Sequence, residues 1–281
     1  MKNSTNADTK TIAGFGDEWE RFDQSDLGQA ESEEIFAQYF SMFPWAQLPS
    51  NPTGFDVGCG SGRWAAHVAP RIGTGTLHCI DPSVALEVAR RNLASRTNCE
   101  FHAEGVSEMS LAPESMDFGY SLGVLHHIPD TAAGLKACVE KLKPGAPFLV
   151  YLYYAFDNRP AWFRSLWKLS DFARRLISRL PHPGRYAVSQ VIAFAIYLPL
   201  SRIAAVGEKL GRNVDAFPLS AYRNRSLYVL RTDALDRFGT SLERRFTRSE
   251  IESMMSGAGL ERISFRTEDT PFWCAVGYRK L

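Results

Sequence analysis

Three glycines at alternate positions, Gly58, Gly60 and Gly62, constrain this chain more than any other feature of its sequence. They follow a short apolar run at residues 54–57 and precede a helical pattern, so they predict a strand, a tight turn and a helix. Glycine allows the backbone to turn without Cβ clashes and allows a ligand to approach the main chain closely. The N–H groups that begin the helix point at whatever lies over the turn. The segment therefore predicts the cofactor-binding turn of an α/β sheet.

The composition is that of an ordinary globular protein, with 45% hydrophobic and 22% charged residues among 281. The first ten residues are polar, so we expect no secretory signal. The five cysteines are scattered without CxxC spacing. This scatter argues against a disulfide framework or a zinc cluster and suits a reducing compartment, so we expect a cytoplasmic protein.

Charge is divided unevenly along the chain. Residues 1–158 contain 11 Lys or Arg and 20 Asp or Glu, whereas residues 159–248 contain 17 and 6. Such asymmetry often marks a segment that faces an anionic partner. A basic segment that simply docks on its acidic neighbour explains it equally well, and both interpretations stay open.

Helices and strands alternate through the first half of the chain, after a helical N-terminal segment. Residues 11–48 carry apolar stripes at helical spacing until Pro44 and Pro49 interrupt them. The predicted strands are 54–57, 76–80, 100–103, 117–122 and 147–153, and the predicted helices are 63–70, 83–94 and 130–141. This alternation predicts a doubly wound, mainly parallel sheet that binds ligands beyond the carboxyl ends of its strands.

The pattern changes to nearly continuous helix over residues 158–246. A first helix carries an apolar face between Trp162 and Leu180, and the segment Pro181 to Gly184 ends it. The run from Tyr186 to Ser201 carries no charge, but it is too short and too interrupted by polar residues for a membrane span. We predict a buried helix of a lid, with interfacial attachment to a membrane as the alternative.

The chain then returns to the sheet. Thr247 and Glu250 form a capping-box pattern that opens a helix over 248–257, and two strand-like runs follow at 260–266 and 272–278. The predicted domains are an N-terminal helical cap at 1–48, a sheet core at 49–157 and 247–281, and a helical insertion at 158–246.

An acidic residue stands at the end of the second predicted strand. Asp81 follows Gly62 by 19 residues. A carboxylate at this strand end can accept hydrogen bonds from both hydroxyls of a ribose. Alone, such an aspartate is usually a loop residue, but together with the glycine turn at this interval it indicates a nucleoside cofactor.

These motifs resemble the class I, Rossmann-like methyltransferases that use S-adenosylmethionine, of the small-molecule type. The resemblance rests on the acidic-x-Gly-x-Gly-x-Gly pattern of residues 56–62, on Asp81, and on the segments 117–130 and 142–145. The family's C-terminal helix and hairpin look similar to residues 247–280. The resemblance implies a seven-stranded sheet, S-adenosyl-L-methionine as cofactor and S-adenosyl-L-homocysteine as product.

The resemblance also implies where the cofactor binds. The backbone of the glycine turn would hold its methionine moiety and Asp56 would orient its amino group, while Asp81 would hold the ribose. Gly105 stands where many relatives have an aspartate for the adenine amine, and the resemblance implies that the backbone of Val106 and the side chain of Ser107 or Glu108 would take its place. The implied cofactor-binding residues are Asp56, Gly58, Cys59, Gly60, Gly62, Asp81, Pro82, Val106, Ser107, Leu122 and Gly123.

Methyl transfer needs a nucleophile in line with the methyl group and, where the nucleophile carries a proton, a base. His126 and His127, just beyond the fourth strand, are the candidate catalytic residues because their ordinary pKa is near neutral. Packing against the sheet or capping of the helix at Asp130 is the alternative role. A metal site built on these residues is disfavoured, since adjacent residues of an extended segment point apart. We expect no metal.

Four further residues are candidates for binding the acceptor. Tyr153 lies at the end of the fifth strand, where substrates usually approach. Tyr222, Arg223 and Tyr228 form an aromatic and basic cluster in the insertion, which suits a phosphate or carboxylate. Packing and solvated charge are the competing explanation.

The sequence therefore predicts a methyltransferase acting on a small molecule, with O-methylation preferred and the insertion forming the lid and acceptor pocket. An anionic, lipid-linked or sugar-linked acceptor is left open.

An RNA methyltransferase is the alternative that the basic insertion favours, although no RNA-binding module is recognisable. A non-catalytic protein that binds S-adenosylmethionine or a membrane surface is the third hypothesis. A nicotinamide-dependent oxidoreductase is disfavoured because it needs Gly-x-Gly-x-x-Gly. We expect no transmembrane segment and at most weak peripheral membrane contact.

Overall fold

The computed structural model describes residues 6–157, 159–266 and 273–281. Three predictions touch residues outside this part of the chain. They are the first five residues of the N-terminal cap, Asn158 at the start of the insertion, and Phe272 at the start of the last strand.

The chain divides into two compact units. The first, here called the sheet unit, consists of Met1–Gln24, Glu33–Ala155 and Leu242–Leu281. The second, here called the helical unit, consists of Ser25–Ser32 and Phe156–Ser241.

Seven strands form one sheet in the order β3-β2-β1-β4-β5-β7-β6. The first five strands are parallel, and β7 runs antiparallel to both β5 and β6. The strands are β1 Gly54–Val57, β2 Leu77–Ile80, β3 Cys99–His102, β4 Phe118–Leu122, β5 Pro147–Leu152, β6 Leu260–Phe265 and β7 Trp273–Arg279. This confirms the predicted doubly wound, mainly parallel sheet of seven strands. The strand order reverses between β1 and β4, which is where such sheets bind ligands.

Ten α-helices are present in the described residues. They are α1 Thr9–Arg21, α2 Gln29–Phe40, α3 Ala65–Val68, α4 Ala85–Asn92, α5 Thr131–Val139, α6 Ala161–Ile177, α7 His182–Ile192, α8 Leu198–Lys209, α9 Leu227–Gly239 and α10 Arg248–Gly257. The predicted capping box at the start of α10 is confirmed, because Thr247 Oγ1 accepts from the N–H of Glu250 and Glu250 Oε2 accepts from the N–H of Thr247.

Strands β1 and β4 are buried along their whole length, as expected for central parallel strands covered on both faces. On one face, Phe55 and Phe148 stack with ring centroids 6.0 Å apart within a core that α5 and α10 share. On the other face, the Phe40 ring lies edge-on to Tyr120 at 5.2 Å. Each buried aromatic side chain contributes about 2 kcal/mol by removing its apolar surface from water.

The helix after the glycine turn is shorter than the predicted 63–70. Helix α3 covers only Ala65–Val68 and continues as a 3₁₀ turn over Ala69–Ile72. Pro70 explains the change, because proline lacks an N–H and its ring clashes with the carbonyl four residues earlier in an α-helix.

The helical unit is built around α9. Helices α6 and α7 both pack on α9 and contact each other. Leu230 and Ala234 of α9 are fully buried against Ala193 and Tyr197. A buried ion pair joins Asp171 Oδ1 to Arg174 Nε at 2.8 Å, and the Arg174 guanidinium also donates to the carbonyl of Thr240.

The prediction of a buried helix at residues 186–201 is wrong. Helices α7 and α8 and the π turn between them form one helix of 28 residues, His182–Lys209, and only 22% of its most apolar stretch is buried. Pro199 lies inside this continuous helix, two residues after the π turn at Ala193–Tyr197, and the helix continues through it although proline donates no N–H. By length and composition alone, this helix could cross a membrane.

Candidate functional site

The glycine turn between β1 and α3 is shaped so that only glycine fits. Gly58, Gly60 and Gly62 have φ of +75°, +52° and +78°. These values lie in the left-handed region, which residues with a Cβ atom rarely adopt. A Cβ atom on Gly58 would overlap the Val124 side chain, and one on Gly60 would lie 2.9 Å from Trp19 Nε1. The turn is therefore a bare stretch of main chain, as the sequence predicts.

Asp81 faces this turn from the end of β2. The N–H of Gly60 donates to Asp81 Oδ2 at 2.9 Å, and the N–H and hydroxyl of Ser83 donate to Oδ1 at 2.8 and 2.6 Å. Burial raises the pKa of Asp81 above its usual value, and these hydrogen bonds oppose part of that shift. A carboxylate oxygen accepts more than one hydrogen bond, so Asp81 keeps acceptor capacity for a ligand hydroxyl. Pro82, beside it, is exposed.

Asp56 is fully buried in β1, with Tyr120 of β4 as its neighbour in the register. Neither of its carboxylate oxygens makes a hydrogen bond of good geometry within the described residues. Burial raises the pKa of Asp56 well above its usual value, and the Tyr120 hydroxyl opposes part of that shift. A buried carboxyl group beside the glycine turn that lacks a hydrogen bond of good geometry is the kind of group that a bound ligand or water satisfies.

The other predicted cofactor residues lie along the same edge of the sheet unit. Cys59 and Leu122 are buried, and Val106 is buried in a 3₁₀ turn that leaves Ser107 exposed. Gly123 has a φ of +81°, and among the described residues the one atom within 4 Å of a Cβ built on it is Cδ1 of Tyr151, at 4.0 Å. Open space therefore adjoins the end of β4. The binding roles of all these residues stay predictions.

His126 lies in a 3₁₀ turn just after β4 and is completely buried. Its ring stacks on Tyr153 with centroids 3.8 Å apart, and neither ring nitrogen has a hydrogen-bond partner in the described part of the chain. Burial, the neighbouring His127 and the charge of Arg245 hold the pKa of His126 well below its usual value. The imidazole is therefore neutral at physiological pH and has a lone pair available.

The two histidines differ in their surroundings. Nδ1 of His127 lies 2.7 Å from the carbonyl oxygen of Leu242, to which it donates a hydrogen bond. The ring of His127 also contacts Phe15, with centroids 4.9 Å apart. These contacts fix the orientation of His127 and leave Nε2 as the nitrogen that carries the lone pair of that ring, whereas neither ring nitrogen of His126 is held by a hydrogen bond within the described residues.

An arginine that the sequence analysis missed completes this cluster. The Arg245 guanidinium lies over the Tyr153 ring at 4.9 Å and forms an ion pair of 2.8 Å with Glu243. Burial alone would lower the pKa of Arg245, but the charge of Glu243 and its hydrogen bond, together with Tyr153 and Tyr151, more than offset burial, and the pKa is raised. No local pattern marks Arg245 in the sequence, because the segment that carries it reaches the cluster only through the fold.

Helix α1 lies over the glycine turn and the strand ends beside it. Trp19 lies against Gly60, Phe15 contacts the His127 ring, and Gly16 packs so closely on Val84 that a Cβ atom there would lie 2.7 Å from its side chain. The predicted N-terminal cap therefore reaches the site itself.

Three predicted acceptor-binding residues lie in the helical unit. Arg223 forms an ion pair of 2.8 Å with Glu208, and the Tyr222 ring contacts Tyr197 with centroids 5.5 Å apart. Tyr228 lies in the first turn of α9. Tyr153 lies in the sheet unit beside His126. The acceptor-binding role of these four residues stays a prediction.

One grouping of the metal-ligating type occurs in the described residues, at a position the sequence analysis did not select. Nδ1 of His78 lies 3.0 Å from Nε2 of His102 and 3.4 Å from Oε2 of Glu100, on strands β2 and β3. Burial lowers the pKa of His78, which favours its neutral form.

Comparison with known families adds a functional context. A family model described as a methyltransferase domain matches residues 55–145, which include the glycine turn, Asp81, His126 and His127.

Two relatives illustrate the sequence similarity. The ubiquinone biosynthesis O-methyltransferase of Serratia proteamaculans (strain 568) is 28% identical over 178 residues, which are 58% of this chain and 71% of that protein. The protein of the same name from Xanthomonas euvesicatoria pv. vesicatoria (strain 85-10) is 27% identical over 129 residues, 45% of this chain and 52% of that protein.

Solved structures share the fold. An O-methyltransferase family protein from Burkholderia thailandensis superposes with a TM-score of 0.54 at 15% identity, over 89% of this chain and 56% of that one. A second solved structure is the Haemonchus contortus phosphoethanolamine N-methyltransferase 2 in complex with phosphomonomethylethanolamine and S-adenosylhomocysteine. It superposes with a TM-score of 0.50 at 16% identity, over 90% of this chain and 46% of that one. At these identities the likeness supports the fold alone.

Proposed function

Because this chain belongs to the class I S-adenosylmethionine-dependent methyltransferases, we propose that it methylates a hydroxyl oxygen of a planar, largely apolar small molecule. The preference for oxygen is supported by relatives that are named O-methyltransferases. The preference for a planar acceptor is supported by the aromatic cluster at the ends of β4 and β5. There the half-buried rings of Tyr151 and Tyr153 lie 5.7 Å apart, and the Tyr39 ring lies 5.2 Å from that of Tyr151.

The residues of the glycine turn fit the cofactor. Bound S-adenosylmethionine supplies a methyl group on a positively charged sulfur, which is already a strong electrophile. The bare main chain at Gly58 and Gly60 would hold its methionine end, and the Asp81 carboxylate, which already faces the turn, would accept from the ribose hydroxyls. The remaining task of this chain is to align the acceptor oxygen and to remove its proton.

His126 is the residue best suited to receive that proton. Transfer forms a bond between the acceptor oxygen and the methyl carbon and breaks the bond from that carbon to sulfur, while the hydroxyl proton passes to a ring nitrogen of His126 and then to water. The guanidinium of Arg245, over the Tyr153 ring, stabilises the negative charge that develops on the oxygen. The single observation that carries this proposal is that both ring nitrogens of a fully buried His126 lack a partner in the described residues.

The test uses the full chain, S-adenosylmethionine and two synthetic acceptors with the same alkyl chain, a catechol and an aniline. We expect mass spectrometry to find one added methyl group on a catechol oxygen, with S-adenosylhomocysteine formed in equal amount. His126→Gln should lower kcat by about 10²-fold or more, the usual contribution of a general base. His127→Gln is the matched control and should change kcat less.

Two results would contradict the proposal. Methylation of the aniline alone would show that nitrogen is the acceptor atom. An unchanged kcat in His126→Gln, with cofactor affinity also unchanged, would remove His126 from the mechanism.

A further inference from the structure

Helix α6 of the helical unit turns an apolar line towards solvent. The line consists of Trp162, Leu166, Leu169 and Leu176, which follow one another at intervals of four, three and seven residues and so lie on one side of the helix. All four are exposed, and Leu169 reaches 67%. The opposite side of α6 carries the buried Asp171 and packs on α9. Solitary exposed apolar residues are normal, but a continuous line along a helix marks an interaction surface.

A basic line runs beside the apolar line on the same helix and its C-terminal end. Arg164, Lys168, Arg175 and Arg179 are exposed and follow one another at intervals of four, seven and four residues. Phe172, which is 63% exposed, lies one turn after Lys168 and connects the two lines. Arginine and lysine beside a solvent-facing apolar stripe are typical of a helix that lies in the interface of a membrane.

The long helix His182–Lys209 supplies a second exposed apolar surface in the same unit. Val191, Phe194, Ile203 and Val206 are each at least half exposed. Because α6 and α7 contact each other and both pack on α9, the two apolar surfaces belong to one compact body.

We propose that the helical unit docks on the surface of a lipid bilayer that carries anionic headgroups, through the exposed apolar residues of α6 and of His182–Lys209. Charge selects this partner, because the helical unit contains 14 Lys or Arg and 8 Asp or Glu. Basic residues are attracted to an anionic leaflet, and the apolar side chains then enter the boundary between headgroups and acyl chains. A second copy of the chain carries the same net charge and so lacks this complementarity.

The packing of the long helix indicates that it lies on the bilayer and does not span it. Arg231 of α9 donates to Gln190 Oε1 at 2.6 Å and to the Tyr186 hydroxyl at 3.0 Å, and Ser189 and Ser201 are fully buried. A spanning arrangement would place the Arg231 guanidinium and its two partners in hydrocarbon, which cannot hydrogen-bond to polar groups. Because α9 stays packed on the polar side of the long helix, only the apolar side of that helix is available to contact lipid.

This inference goes beyond the proposed methyl transfer and does not depend on it, because it concerns binding by the helical unit alone. The test is flotation of the full chain with vesicles of phosphatidylcholine, or of phosphatidylcholine containing phosphatidylglycerol. We expect the protein to float with the anionic vesicles at low salt and to dissociate as salt increases. Washing with alkaline carbonate should release it, as expected for an interfacial protein.

The double variant Leu169→Glu/Phe172→Glu should lower vesicle binding at least tenfold. Both positions are exposed, so the fold should persist, and an unchanged circular dichroism melt checks this point. Leu281→Glu is the matched control, since Leu281 is 98% exposed and lies in the sheet unit. The triple variant Arg164→Gln/Lys168→Gln/Arg179→Gln should lose the preference for anionic vesicles.

Three results would overturn the proposal. Absence of flotation with either vesicle would exclude a bilayer as the partner. Retention after carbonate would show that the helix spans the membrane. A dimer in light scattering that Leu169→Glu/Phe172→Glu dissociates, without vesicles present, would assign the apolar surface to a second copy of the chain.

Discussion

The backbone N–H of Gly60 donates a hydrogen bond of 2.9 Å to the Oδ2 atom of Asp81. This bond joins the glycine turn after β1 to the carboxylate at the end of β2, so two motifs 21 residues apart form one structural unit. Ser83 holds the other carboxylate oxygen. The orientation of Asp81 is therefore fixed by the protein itself, which lowers the side-chain entropy that Asp81 would lose on binding a ligand.

Replacing Asp81 by Asn should weaken S-adenosylmethionine binding about 10-fold to 100-fold. The amide keeps the shape of the carboxylate but presents an NH₂ group, a donor, where Gly60 or Ser83 already donates, and it loses the charge that strengthens the ribose hydrogen bonds. Isothermal titration calorimetry with S-adenosylmethionine measures the effect. Ser83→Ala is the control and should weaken binding less, while an affinity unchanged in Asp81→Asn would exclude the assigned ribose contact.

Replacing Gly60 by Ala should destabilise the sheet unit by about 1–2 kcal/mol. Its φ of +52° is strained for alanine, and the new Cβ atom would lie 2.9 Å from Trp19 Nε1. Urea denaturation of Gly60→Ala, Trp19→Ala and the double variant separates the two contributions to the lost stability, the backbone strain and the clash with Trp19. The double variant should be more stable than the sum of the single effects predicts, because Trp19→Ala removes the clash and leaves only the backbone strain. Strict additivity would show that the indole does not press on Gly60.

His126 should make the free energy of unfolding fall as pH drops below about 6.5. Its pKa is held well below the usual value in the folded state, so between the folded and the unfolded pKa the unfolded chain binds more protons. The linkage therefore favours the unfolded state as pH falls, by up to about 1.4 kcal/mol per pH unit for one group.

The measurement is urea denaturation between pH 5 and pH 8 of the wild type and of His126→Asn. The difference between the two curves isolates this group, since His67 and His78 also have lowered pKa values and contribute to both. If the free energy of unfolding changed with pH by the same amount in both proteins, the burial of a neutral His126 would be contradicted.

Replacing Asp171 by Asn should destabilise the helical unit by about 3 kcal/mol. Burial alone would raise the pKa of Asp171, but the hydrogen bond from Arg174 and the charges of Arg237 and Arg175 hold it below its usual value. The substitution leaves the buried Arg174 guanidinium without its counter-charge, which costs more than loss of an exposed pair. Urea denaturation followed by tryptophan fluorescence detects the change, because Trp162 and Trp167 lie in the same helix.

Asp215→Asn is the matched control for this substitution. Asp215 is an exposed acidic residue of the same unit, so its loss should change stability by no more than about 0.5 kcal/mol. Equal effects of the two substitutions would contradict a structural role for the Asp171 ion pairs.

The parts of the fold that the sequence predicts are those with a local physical signal. The strands, the glycine turn and the capping box at Thr247 each follow from residues that are neighbours in the chain. Asp81 was found because the interval from the glycine turn is set by one helical crossover. The helix predicted over 63–70 was too long, although Pro70, which has no N–H, is itself a local signal for the earlier end of α3.

Other features depend on contacts between distant segments. The run 186–201 is apolar, but its composition does not say what covers it, and in the structure α9 covers only one side. Arg245 reaches Tyr153 and His126 after an insertion of nearly 90 residues, so no spacing rule connects them. The contact of Trp19 with Gly60 likewise depends on how α1 crosses the sheet.

The pairing of β5 with β7 has a consequence for synthesis of the chain on the ribosome. Leu152 and Trp273 are partners in the sheet, yet about 120 residues separate them. At about 5–20 residues per second, the nascent chain spends roughly 10 s with one edge of β5 unpaired. An open apolar strand edge is a template for pairing with other chains. The inserted helical unit thus lengthens the period in which the growing polypeptide is vulnerable to aggregation. This period ends when β7 emerges and pairs with β5.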